Sequence, residues 1–94
     1  MKKKIKLKSG KEITIKDIGV DDRDMLLDSV KYIYNSDGEF AGVENMQSTI
    51  TKWIRTVVEN SDDKFILSLS LEDRTEIFVK LQEALQTGEG NASN

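Results

Sequence analysis

Residues 1–16 read MKKKIKLKSGKEITIK, and their reading decides how the fold begins. From Lys3 onward lysine alternates with Ile5 and Leu7, Ser9 and Gly10 interrupt, and the pattern resumes with Ile13 and Ile15 around Thr14. Period-two alternation puts successive side chains on opposite faces of an extended strand, so two such runs about a glycine-containing break predict a β-hairpin over 3–18. Its loop length follows from parity. A two-residue Ser9-Gly10 loop would set Leu7 against Glu12 and Ile5 against Thr14, splitting the apolar residues between faces. A three-residue loop of Lys8, Ser9 and Gly10 pairs Ile5 with Ile13 and places glycine third, where a bulged turn needs left-handed backbone. Ile5, Leu7, Ile13 and Ile15 then share one face, which has to rest on helices or on another chain, because a lone hairpin is marginal in water.

Beyond this segment the periodicity turns helical. Asp21 is the expected N-cap of a helix over about 21–34, with Asp22 and Asp24 in its first turn, Val20 stapled to Met25, and Leu26, Val30, Ile33 and Tyr34 as its apolar stripe. Asn35-Ser36-Asp37-Gly38 reads as a turn. In 39–48, Phe40, Val43 and Met46 are spaced by three, but Gly42 weakens a helix, so the segment reads as a loop or irregular helical turn. Met46, Ile50, Trp53, Ile54, Val57 and Val58 predict a second helix over 46–59 with Trp53 in the core. The run Phe65-Ile66-Leu67 fits a short helix capped by Asp62 or Asp63, with a short strand as the alternative. Ser70 caps a last helix over 71–86, whose stripe is Ile77, Phe78, Leu81 and Leu85. The expected architecture is α+β and mostly helical: an N-terminal hairpin on a small bundle of three main helices plus a short helical turn, in one domain over 1–88, with 89–94 as a disordered tail.

Composition removes much chemistry. The 94 residues include no His and no Cys, which excludes disulfides, thiolate nucleophiles, Ser/His/Asp triads and nearly every transition-metal site. Only a carboxylate-only metal site or a paired-carboxylate hydrolase stays formally open, and no catalytic, cofactor-binding or metal-binding residue is assigned. The Asp21-Asp22-Arg23-Asp24 and Asp62-Asp63 clusters sit where helix starts favour acids, and the turn at Asn35 lacks the ligand run of a calcium loop. No apolar run approaches the roughly 20 residues that span a bilayer, and no secretory signal is legible, so a soluble, cytoplasmic protein without a membrane partner is expected.

The net charge of −3 hides an asymmetry: 1–16 carry seven lysines against one glutamate, while 17–94 carry seven basic and sixteen acidic residues. An acidic body repels phosphate backbones, and the basic segment lacks aromatics and arginine. A small nucleic-acid-associated regulatory protein using the lysine-rich strand is therefore the alternative reading. Lys4, Lys6 and Lys8 read instead as charges that guard an exposed strand edge while leaving room for an acidic protein surface. Tyr32 falls off the first stripe and Phe40 lies in the irregular segment, so each ring is either exposed to a partner or partly buried against the loop; with the three lysines they are the candidate protein-binding residues.

The hairpin stretch KLKSGKEITIKDI, the acidic VDDRD and the terminal SLSLEDRTEIFVKLQEAL with its polar tail resemble, in order and length, the small tail assembly chaperones of long-tailed bacteriophages. The resemblance implies a non-enzymatic protein, without cofactors, that binds the tape measure protein and helps to recruit tail tube protein in the host-cell cytoplasm. It also leaves self-association open.

Overall fold

The computed structural model describes residues 3–87. Lys2 and the expected tail at 89–94 lie outside the described residues. Strands β1 (Lys3–Lys6) and β2 (Glu12–Ile15) form the N-terminal hairpin in the register that parity requires, Ile5 opposite Ile13 and Lys6 opposite Glu12. Its loop is Lys8-Ser9-Gly10: the Leu7 N–H donates to the Lys11 carbonyl at 2.8 Å, the Gly10 N–H to the Leu7 carbonyl at 2.9 Å, and Gly10 sits at φ 98°. Leu7, Ile13 and Ile15 are buried and Ile5 is half-buried, so the apolar face is the inner face.

The hairpin is pinned along its β2 edge. After helix α2 (Met46–Val57) ends, Val58 turns extended and bridges Ile15. The Glu59 N–H then donates to the Thr14 carbonyl at 2.9 Å and the Lys16 N–H to the Val57 carbonyl at 2.7 Å. Helix α2 therefore stops at Val57, short of the expected 59, because its exit residues pair with a strand.

The first helix is shorter than its expected span and is followed by strands. Helix α1 covers Val20–Ser29, its N-cap is Gly19 without a side-chain bond, and Asp21 lies inside the first turn. Val20 and Met25 are both exposed, so no staple forms. The buried residues of this region are Leu26 and Val30; Ile33 and Tyr34, expected on the same stripe, lie in strand β3 (Tyr32–Tyr34), which pairs antiparallel with β4 (Phe40–Val43). Two causes are visible. Aromatic and β-branched side chains at 32–34 favour extended backbone, and Asn35 builds a tight turn, its Oδ1 accepting the N–H groups of Asp37 and Glu39 at 3.0 Å each. The expected loop at 39–48 thus becomes β4 and the start of α2.

Helix α3 (Asp63–Leu67) settles the Phe65 segment as helical: Asp62 Oδ1 accepts the Phe65 N–H at 2.8 Å, and Arg55 pairs with Asp63. Helix α4 (Leu71–Thr87) starts on Ser70, whose Oγ accepts the Asp73 N–H at 3.0 Å. Ile77, Phe78, Leu81, Ala84 and Leu85 of α4 meet Ile50, Trp53, Ile54 and Val57 of α2 in the core. The Trp53 and Phe78 rings stand edge to face with centroids 5.3 Å apart. Arg74 ties the same helices at their rim, donating to Thr51 Oγ1 at 2.7 Å and to the Gln47 carbonyl at 3.1 Å. The fold is mostly helical α+β, with a second hairpin that the sequence reading did not foresee. Among the described residues no helix is long and apolar enough to cross a membrane.

Candidate functional site

The second hairpin is built like the first. Asn35 and Glu39 close its loop through the Asn35 N–H to Glu39 carbonyl bond at 2.8 Å, the Gly38 N–H donates to the Asn35 carbonyl at 2.9 Å, and Gly38 sits at φ 82°. Ser36, Asp37 and Gly38 thus occupy the places of Lys8, Ser9 and Gly10. Further down the strands the pairing slips: Ile33 faces Gly42 but Tyr34 faces Phe40, leaving Ala41 as the extra residue of a bulge. Residues three apart in a regular strand lie on opposite faces, and the bulge cancels that alternation, so Phe40 and Val43 share a face with Tyr32 and Tyr34.

That shared face is anchored at one end and open at the other. Val43 packs partly buried against the core, and the Gln82 side-chain amide of α4 donates to the Tyr32 hydroxyl at 3.3 Å. Beyond this root every residue from Lys31 to Ala41 is exposed. Phe40 is the hub of an aromatic trio, with ring centroids 6.1 Å from Tyr32 and 6.4 Å from Tyr34, both edge to face. Tyr34 and Phe40 leave about three-fifths of their surface in solvent, at 60% and 62%. Large aromatic rings that contact each other and stay exposed are of the type that dominates protein interfaces, since each buries much area for little entropy.

Of the residues singled out in the sequence, Tyr32 and Phe40 come together, and Tyr34 joins them. Tyr34 was missed because a helical stripe claimed it; the signal that could have found it is the Ser-Asp-Gly triplet, which repeats the logic of Lys-Ser-Gly.

Lys4, Lys6 and Lys8 form a separate group on the first hairpin. All three are exposed, and the backbone N–H of Lys8 donates to the Glu76 carboxylate of α4 at 3.1 Å. A cavity of about 240 Å³ lies between Lys3, Lys4 and Ile5 of β1 and Lys80, Glu83 and Ala84 of α4. Successive helix residues turn by about 100°, so Lys80, beside the lysine edge, and Gln82, beside Tyr32, point to nearly opposite flanks of α4.

The remaining polar clusters are structural. Asp62 and Ser70 are occupied as caps, and Arg23 pairs with its neighbour Asp24 at 3.1 Å. Lys11 Nζ donates to the Ser68 carbonyl at 2.7 Å, clasping the first hairpin to the α3–α4 connection. A depression of about 630 Å³ lies between the Lys8-Ser9 loop and the start of α4, where the Glu76 carboxylate and Ser70 hydroxyl already hold backbone N–H groups. Among the described residues no three acidic side chains gather in a way that could hold a metal ion.

Set against known proteins, the chain matches no family model, no curated protein and no solved structure.

Proposed function

We propose that the chain is a non-enzymatic binding protein that engages a protein client through the Tyr32, Tyr34 and Phe40 face of the second hairpin. The observation that carries this reading is the exposure of that trio on a hairpin that meets the body at Val43 and Tyr32. Supporting it, the sequence holds neither His nor Cys, which leaves little of the usual catalytic repertoire. The client follows from the resemblance to tail assembly chaperones: a tape measure protein, held during tail morphogenesis in the host cytoplasm and passed on with tail tube subunits.

An elongated, largely helical client suits this surface, because a helix lays a stripe of apolar side chains against aromatic rings at regular spacing. Co-expression with tape measure fragments tests the reading. A fragment that co-purifies with the wild-type chain is the expected result, and failure of every fragment to bind at micromolar concentration contradicts it.

A further inference from the structure

We infer that the outer edge of β1 is a second, independent binding site, which takes an extended acidic peptide by strand addition between β1 and α4. In an antiparallel pair alternate residues turn their backbone groups toward the partner strand and away from it. Leu7 bonds Lys11, so Ile5 and Lys3 also face β2, whereas the backbone groups of Lys4, Lys6 and Lys8 face the opposite way. The bond from the Lys8 N–H to Glu76 shows what lies on that side: the flank of α4. Glu76 therefore closes the edge at the loop end. At Lys4 and Lys6 the edge stays open, and neither backbone has a partner among the described residues. The other edge of the sheet is taken by Val57 to Glu59, so growth of the sheet is possible at β1 alone.

Charge and shape name the occupant. The Lys4 and Lys6 side chains project on the solvent face of β1, and Lys80 and Glu83 line the cavity from α4, so that lysines outnumber the one carboxylate there; none of Lys4, Lys6 and Lys80 has an ion pair among the described residues. A second β1 would set lysine against lysine, which disfavours self-pairing. In an added strand, residues on the outer face would lie beside Lys4 and Lys6, while those on the inner face would point toward the cavity, whose apolar lining is Ile5 and Ala84. The site thus selects carboxylates alternating with apolar side chains. It lies on the flank of α4 away from the aromatic trio, so it stands or falls independently of the function proposed above.

A short synthetic peptide alternating glutamate with valine is the probe, titrated into the full chain with amide hydrogen exchange and NMR as readouts. The expected result is saturable binding with new protection at the Lys4 and Lys6 amides. Reversing both charges, K4E with K6E, should weaken that binding at least about tenfold and should create binding of the matching lysine and valine peptide. Both lysines are exposed, and an unchanged amide spectrum for the core establishes that the variant is folded. Saturable binding without protection of these amides, or binding unaffected by the reversal, overturns the proposal. So does retention of single-stranded DNA in place of the peptide, which would make the edge a nucleic-acid contact.

Discussion

Two aromatic residues show how position decides a side chain's task. Trp53 is fully buried against Phe78, while Tyr34 stands 60% exposed against Phe40. Trp53→Ala would open a cavity at the α2–α4 contact and should cost about 3–5 kcal/mol in denaturant unfolding. Tyr34→Ala removes one edge-to-face contact and little buried area, so its cost should stay below about 1.5 kcal/mol in the same experiment. If client binding belongs to the trio, the cheaper substitution is the one that abolishes it. Ile13 makes the same point for the first hairpin: it is 3% exposed, and Ile13→Lys buries an unpaired charge. A loss of about 4 kcal/mol or more is expected, read as a lowered melting temperature; unchanged melting would show that this face does not pack.

At the scale of elements, legibility followed the type of signal. The N-terminal hairpin was readable to its register because lysine alternation and parity constrain it together, and Ile5 does face Ile13. The stripes of α2 and α4 were readable because their apolar spacing persists over several turns. The first helix was overextended because Leu26 and Val30 begin a stripe that Ile33 and Tyr34 continue by coincidence of spacing. There the strand preference of Tyr-Ile-Tyr and the Asn35 turn outweigh the periodicity. The bulge at Ala41 hid β4 as well, since it puts Phe40 and Val43 on one face at a spacing of three, which imitates a helix. Half of the aromatic trio's logic was therefore visible, Tyr32 and Phe40 as suspects, but not the strand pairing that joins them to Tyr34. Gly38 tests this element directly. A β-branched residue at its φ of 82° is strained by about 1–2 kcal/mol, so Gly38→Val should loosen the hairpin and weaken the cross-strand NOE between Ile33 and Gly42. The shifts of Trp53 and Phe78 should not move, because the core packs without the hairpin's tip.

Across the whole molecule, α4 is the divider. Its inner stripe closes the core, one flank carries Glu76, Lys80, Glu83 and Ala84 along the lysine edge, and the other presents Gln82 to the aromatic hairpin. The arrangement separates an electrostatic surface from an aromatic one, so salt should weaken contacts at β1 while leaving those at the second hairpin largely intact. The central claim is that the aromatic face holds the client, and the most direct measurement is the affinity of a tape measure fragment for the wild-type chain and for the double variant Tyr34→Ala with Phe40→Ala, by calorimetry at moderate salt. Binding by the wild type and a loss of at least about 2 kcal/mol in the variant, with its core NMR shifts unchanged, is the expected result. Equal affinity of the two folded proteins would contradict the claim and place the client elsewhere on the molecule.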